Sequence, residues 1–286
     1  MGLGREALQK GKTRPGTDPD LDNLTAAWSW ALMNGDAEVG LKTATALLLE
    51  LPMSMYSQKV GIAQASAIFV DTDQPPALRM WFWWGMSWHW ASVRRQESLD
   101  AARKSLAAAR ETDPAPGHAV RLHSALGLLA LATSRFDNAI EAASALAEMN
   151  SIVLPEFPPG LNSTGLECAA YALPFLGKHA ESVKLLRELY LNNQALDRNN
   201  DLLLGNLADA ELAAGNAKEA VRIGVELLAL ADGTRNGLLL AYECVNLCAA
   251  RLALDQIDEA TVLAQRGWAD AARLELYGPW GDYLAL

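Results

Sequence analysis

Gly215-Asn-Ala-Lys-Glu-Ala220 has three counterparts elsewhere in the chain: Gly177-Lys-His-Ala-Glu-Ser182, Asp255-Gln-Ile-Asp-Glu-Ala260 and Ser134-Arg-Phe-Asp-Asn-Ala139. Each stretch begins with a turn-forming residue and ends on a small one. A second small residue stands twelve positions before each end, and these residues are Ala208, Ala170, Cys248 and Gly127. Because the distance between packed helices depends on the side chains at their contact, this spacing predicts hairpins of two closely packed helices.

The small residues at positions 139, 182, 220 and 260 are separated by 43, 38 and 40 residues. Internal repeats of about 20 to 50 residues are typical of stacked solenoids, and the tetratricopeptide unit is about 34 residues long. The repeat therefore predicts an all-α, tetratricopeptide-like right-handed superhelix of about six helical hairpins, with slightly extended helices or loops.

The same pattern continues towards the amino terminus. A first hairpin is predicted over residues 21–33 and 37–49, a single helix over 54–70, and another hairpin over 76–91 and 97–110. No segment has the alternating pattern of a strand. Residues 1–19 are interpreted as a flexible tail or linker, and residues 20–286 as a single helical-repeat domain.

The last repeat is predicted to be incomplete. Pro279 suits the first turn of a helix, and Trp280, Tyr283, Leu284 and Leu286 supply apolar positions without a second helix to cover them. Exposed ends of repeat arrays need a capping element. We therefore expect self-association through this half-repeat, or contact with a further segment.

Charge and composition exclude several functional classes. The formal net charge is −10, whereas binding to a phosphate backbone requires clustered lysine and arginine. The most apolar window, residues 78–90, is shorter than a membrane span and contains Arg79 and His89. Three cysteines do not make a disulfide framework. We expect a cytoplasmic protein with neither nucleic-acid nor membrane contacts.

Five of the nine tryptophans lie in residues 81–90. Trp81, Trp84 and Trp88 share one helical face with the small residue Gly85 and are predicted to pack in the core. Residues on the other side of this first helix are predicted to line a binding groove, because aromatic and arginine side chains anchor many binding surfaces. The alternative is that they pack against a neighbouring helix or loop. The groove prediction comprises Arg79, Phe82, Met86, His89 and Trp90, with Arg121, Glu167 and Tyr171 on the next two helices.

No group of residues predicts a catalytic, cofactor or metal site. Cys244 and Cys248 are one helical turn apart but have no further ligand nearby in sequence, so they are interpreted as packed thiols. Gly11-Lys12-Thr13 is not a phosphate-binding loop, because the first glycine of that motif is replaced by Glu6.

Three stretches resemble a known family: Leu21-Asp-Asn-Leu24 through Trp30-Ala-Leu32, residues 206–215 from Asn206 to Gly215, and Trp280-Gly-Asp-Tyr-Leu-Ala-Leu286. They are similar to the carboxy-terminal helical-repeat region of bacterial predicted signal-transduction ATPases and ATPase-linked transcriptional regulators. The resemblance implies a region that senses a small-molecule effector or protein partner and restrains or releases an ATPase.

Three functional hypotheses follow. The first is a non-catalytic sensor or regulatory scaffold, as the resemblance implies. The second is a free-standing adaptor that holds a peptide or protein in its groove, which is a common role of repeat arrays. The third is an all-α enzyme with an internal pocket, and it would require a metal- or cofactor-dependent activity.

Overall fold

The structure is a computed structural model of the chain. It describes residues 19–50, 56–70, 73–90, 95–112, 117–135, 138–154, 163–194, 201–234 and 237–273. The predicted tail and the predicted half-repeat at Trp280 to Leu286 lie outside these residues, so the self-association hypothesis stays a prediction.

Throughout the described residues the secondary structure is helical. The α-helices, numbered in chain order, are α1 (Pro19–Asn34), α2 (Ala37–Glu50), α3 (Tyr56–Ser66), α4 (Pro76–Trp90), α5 (Arg95–Glu111), α6 (His118–Ser134), α7 (Ala139–Ser151), α8 (Ser163–Ala172), α9 (His179–Gln194), α10 (Asp201–Ala213), α11 (Ala217–Thr234), α12 (Gly237–Leu252) and α13 (Ile257–Arg273). Short 3₁₀ turns extend α3 over Ala67–Phe69 and α8 over Leu173–Leu176.

These helices confirm the predicted all-α repeat. Within the described ranges six hairpins form, by α1 and α2 and then by successive pairs from α4 to α13, with α3 standing alone between the first two. The two helices of a hairpin pack against each other, as α4 does with α5, and first helices of neighbouring hairpins also meet, as α10 does with α12. None of the described helices is long and apolar enough to span a membrane.

One turn geometry recurs between the two helices of a hairpin. The Asn216 N–H donates to the carbonyl oxygen of Glu211 at 2.8 Å, five residues back. This bond closes the end of α10 and satisfies one of its free carbonyl groups. The residue before it, Gly215, has a φ of 85°, a conformation that glycine adopts without strain. The same bond is donated by Asp36, Asn138, Lys178 and Gln256.

Close helix approach at the twelve-residue spacing is confirmed in α8 and α9. The Ser182 hydroxyl, which is fully buried, donates to the carbonyl oxygen of Ala170 at 2.7 Å. Its counterparts Ala220 and Ala260 are also buried. In the α6–α7 hairpin, however, the predicted small residue Ala139 is exposed, because α7 begins there. The buried position one turn into α7 is Ala142 instead.

The chain divides into two compact units, one up to Cys168 and one from Ala169. The boundary falls within α8. In the first unit, α2, α3 and α4 enclose an apolar core that includes Leu41, Leu48, Ile62 and Phe82. Second helices of this unit are joined by exposed ion pairs, including Arg103 to Glu141 at 2.8 Å. The prediction of a single repeat domain over residues 20–286 stays a prediction.

Candidate binding face of the second unit

The tryptophan-rich helix α4 is built into the first unit. Trp84 is buried and its indole N–H donates to the Ser124 carbonyl oxygen at 3.4 Å. Its ring stacks on Trp88 at 5.5 Å between centroids and meets the edge of Trp81 at 6.1 Å. Trp81 and Trp88 are half-buried. The packing role predicted for this face agrees with these contacts.

Two side chains of the predicted groove lie in the core instead. Phe82 is fully buried and Met86 is 2 % exposed, and both belong to the apolar cluster under α2 and α3. The prediction that they line a groove is wrong for this reason. The helix α4 is covered on both sides, by α5 on one and by α2 and α3 on the other. The face of α4 that was predicted to be exposed is therefore buried against other helices.

Both arginines that were predicted to line the groove lie within the described part of the structure. Arg79 forms an ion pair with Glu111, and its Nε donates to the Gln74 carbonyl oxygen at 3.0 Å. Arg121 is half-buried beside Gly117, and in the described ranges its Nε has no hydrogen-bond partner. Arg79 therefore ties the start of α4 to the end of α5.

The remaining groove residues are untested. The side chains of His89 and Trp90 lie outside the described part of the structure. Glu167 in the first unit and Tyr171 in the second are half-buried and make further interactions. Their role as binding residues stays a prediction.

The repeated turn provides a register for comparing first helices. Positions are counted back from the residue whose carbonyl group accepts the turn-closing hydrogen bond. Two and five residues before it, α6 carries Leu131 and Leu128, both 2 % exposed. At the same positions α10 carries Asp209, which is exposed, and Asn206, which is half-buried. Repeat arrays bind partners on the surface formed by successive repeats. At α10 this surface is open and polar, whereas at α6 it is apolar and covered.

Helix α12 continues the open surface. The Tyr242 hydroxyl donates to the Asn206 side-chain oxygen at 3.3 Å, which joins α10 and α12. Asn246 follows Tyr242 by one helical turn, and its Nδ2 is buried with no hydrogen-bond partner among the described residues. We call Asn206, Asp209, Tyr242 and Asn246 the polar face.

Glu243 lies beneath this face as a fully buried carboxyl group. A Cβ at Gly224 would stand 2.5 Å from its Oε1, and one at Gly205 would stand 3.5 Å from its Oε2, so the carboxyl group fills a notch between two glycines. Within the described part of the chain neither oxygen has a hydrogen-bond partner. Burial, and secondarily the charge of Asp209, raises the pKa of Glu243 to about 8. The group is therefore mostly neutral at pH 7.

Asp209 is the second acid of this region. Although it is exposed, the surrounding protein removes part of its water shell and raises its pKa. Among the described residues it forms no ion pair. Helix α10 contains no basic residue, and the one in α12, Arg251, donates to Gln256 at 2.7 Å. The polar face thus carries negative charge without a cation of its own helices to balance it.

Two arginines of the second unit are paired with carboxylates within the fold. Glu211 is 1 % exposed, forms an ion pair with Arg187 and accepts a hydrogen bond from Asn216 Nδ2 at 2.8 Å. Arg222 lies in the open on α11 and pairs with Glu219 at 2.9 Å. The first pair joins α9 to α10, whereas the second lies within α11.

The cysteines lack the surroundings of reactive thiols. Burial raises the pKa of Cys168 and Cys248, and it raises that of Cys244 to about 11. Reactive cysteines have lowered pKa values because the thiolate is the nucleophile. His123 is buried and its pKa is lowered by desolvation. In the described ranges, no three His, Cys, Asp or Glu side chains are grouped as metal ligands.

Sequence reasoning had passed over the polar face. Asn206 and Asp209 lay inside a stretch used only for the family resemblance, and Tyr242 and Asn246 were not identified. The signal that would have found Asn206, Asp209 and Asn246 is the register of the turns, once the α6 turn is placed at Asn138. It aligns Leu128 with Asn206 and Asn246, and Leu131 with Asp209.

Comparisons with known proteins support the fold. The crystal structure of a point variant of a Podosopora anserina putative kinesin light chain with nearly identical TPR-like repeats matches with a TM-score of 0.54 at 20 % identity, covering 71 % of this chain and 99 % of that one. NprR in complex with its cognate peptide NprX matches with a TM-score of 0.54 at 16 % identity, covering 93 % of this chain and 81 % of NprR. No family model and no curated protein matches the sequence.

At these identities the similarity establishes the architecture. The chain has an all-α, tetratricopeptide-like helical-repeat fold. This is the class of protein that the helices, the recurrent turn and the comparisons define together.

Proposed function

We propose that this chain is a non-catalytic scaffold that binds a peptide segment of a protein partner on the polar face of its second unit. The observation that carries the proposal is the contrast between α6 and the later first helices. Leucines that pack in the core at α6 are replaced by Asn206 and Asp209 on α10, at an open surface. Asparagine side chains can both donate to and accept from a peptide backbone.

Two further observations support peptide binding. The Tyr242 to Asn206 hydrogen bond holds two side chains of the face in place before a ligand arrives, and such preorganisation lowers the entropy lost on binding. NprR, which has the same architecture over most of this chain, holds a peptide in its solved structure.

The test is selection of binders from a displayed library of random ten-residue peptides. We expect the wild-type chain to enrich a set of peptides and the double variant N206A/N246A to bind them about tenfold more weakly, because two backbone hydrogen bonds are lost. Asn192→Ala, on the exposed surface of α9, is the matched control and should bind as the wild type does. Absence of enrichment, or equal loss in the control, would overturn the proposal.

The finer proposal is that peptide or effector binding regulates an ATPase, and it is supported by the sequence resemblance. Its test is the rate of ATP hydrolysis by an ATPase that co-purifies with the chain, measured with and without a selected peptide. An unchanged rate of ATP hydrolysis would contradict the regulatory role, while the proposal of a peptide-binding scaffold would stand. The free-standing adaptor is the alternative in that case.

A further inference from the structure

The polar face has an uncompensated negative charge over a buried acid. Asp209 is exposed, and Glu243 lies close enough for the Asp209 charge to act on it. Both oxygens of Glu243 lack a hydrogen-bond partner among the residues that the structure describes, although the side chain is fully buried. Buried polar groups in native proteins almost always have partners, and an exception calls for an explanation.

The described arginines of the neighbouring helices are engaged with other groups. Helix α10 has no basic residue, and Arg251 of α12 is bonded to Gln256. On α11, Arg222 is held by Glu219 and Glu226 on the exposed surface. Arg187 of α9 is paired with Glu211. On α13, which packs against α12, Arg266 pairs with Asp232. These four arginines are thus engaged elsewhere.

We propose that the polar face binds the lysine or arginine side chain of an extended peptide, with Asp209 as the carboxylate that contacts the cation. The inference rests on the proposed peptide-binding function and names its ligand chemistry. Charge-assisted hydrogen bonds are about twice as strong as neutral ones. Asn206 and Asn246 then bond the peptide backbone on either side of the charged residue.

Glu243 acts on the same cation from below. It is mostly neutral at pH 7 because its pKa is about 8. A positive charge bound at Asp209 favours the ionised carboxylate and lowers that pKa. Binding of a basic peptide near pH 7 is therefore accompanied by release of part of a proton from the buried acid.

The decisive experiment compares three forms of the chain on an array of random ten-residue peptides with acetylated amino termini. The wild type should enrich peptides with lysine or arginine at one fixed position. Asp209→Asn should lower the binding of those peptides at least tenfold, whereas Glu188→Gln, an equal charge change at an exposed position on α9, should leave it unchanged. Enrichment without a basic preference, or a preference that survives in Asp209→Asn, overturns the inference while the scaffold function stands.

If the proposed peptide-binding function is itself wrong, the wild type enriches no peptide at all, which distinguishes the two failures. Tight binding of Mn²⁺ alone that is lost in Asp209→Asn, without any basic peptide, would assign the acids to a metal and overturn the inference.

A second measurement tests Glu243 without relying on affinity. Calorimetric titration of one selected basic peptide at pH 7, in two buffers of different ionisation enthalpy, reports the protons released. We expect release from the wild type and none from Glu243→Gln, which keeps the shape and the neutral form of the side chain. Equal proton release from both proteins would remove Glu243 from the site.

Discussion

The hydroxyl group of Ser182 donates a hydrogen bond of 2.7 Å to the carbonyl oxygen of Ala170, twelve residues earlier on the facing helix. The bond connects a side chain of α9 directly to the backbone of α8, and Ser182 is fully buried there. Such a contact requires the two helices to approach closely, so the side chain at position 182 has to be small.

Enlarging this position should destabilise the hairpin. We expect Ser182→Leu to lower the free energy of unfolding by about 3 kcal/mol, because overpacking strains the core and the hydrogen bond is lost. Ser182→Ala, which keeps the close approach, should lose only about 1 kcal/mol. Urea denaturation measures both. Ala180→Leu adds the same side chain at an exposed position of α9, and a loss as large as that of Ser182→Leu would contradict the packing argument.

The notch at Gly224 makes a second prediction. Gly224→Ala should destabilise the chain by about 1 to 3 kcal/mol, because the new methyl group would stand 2.5 Å from Oε1 of Glu243. In the double variant with Glu243→Ala the clash is removed, so the two changes should be strongly non-additive in a double-mutant cycle. Gly61→Ala in α3, where a Cβ meets nothing within 4 Å, is the control and should not destabilise.

The buried acid predicts how stability depends on pH. The folded-state pKa of Glu243 is about 8, against an ordinary value of 4.5. Between these values the folded state binds more protons than the unfolded state, so stability falls as pH rises and the contribution is lost above about pH 8. The loss is on the order of a few kcal/mol, since one pKa unit corresponds to about 1.4 kcal/mol.

Urea denaturation of the wild type and of Glu243→Gln at several values from pH 6 to pH 8.5 checks this dependence. The stability of Glu243→Gln should change much less over that range. Asp209 and the neighbouring Cys244 also have raised pKa values, and both groups are present in the two proteins, so the difference between the two proteins is the quantity to compare. Parallel curves would show that Glu243 is ionised in the folded state.

The ion pair beneath the turn of α10 should matter more than the exposed one on α11. Arg187→Ala leaves the carboxylate of Glu211, which is 1 % exposed, without its cation. We expect a loss of about 2 kcal/mol in unfolding free energy, because removing one partner of a buried charge leaves the other uncompensated. Arg222→Ala should lose less than about 1 kcal/mol, as exposed ion pairs do. Equal losses in thermal or chemical denaturation would contradict this ranking.

Sequence reasoning predicted the helices and turns well because their signals are local. The bounds of α1, α2, α4 and α5 agree with prediction to within a few residues at each end. Its error at Ala139 has a local cause as well: the register was anchored on Ser134, whereas the hydrogen bond that closes this turn starts from Asn138. The equivalent small pair is therefore Ala130 and Ala142, which are both fully buried.

The candidate site was predicted poorly because the exposure of a side chain depends on all the helices that pack around it. The pattern of α4 placed Phe82 and Met86 on a free face, but α2 and α3 cover that face in the fold. Conversely, Asn206 and Asp209 carried no motif, and they became a candidate site only when α12 brought Tyr242 beside them.

The sequence and the tertiary structure thus determined different features of this protein. The sequence by itself determined the all-α hairpins, their turns and the spacing of small residues, because φ preferences and helical periodicity act within a few residues. Only the tertiary structure decided that the tryptophan-rich helix is enclosed and that an acidic, polar face opens on α10 and α12. Burial and electrostatic environment depend on contacts between side chains tens of residues apart, such as Asn206 and Tyr242. A local sequence pattern does not indicate which of these side chains come into contact.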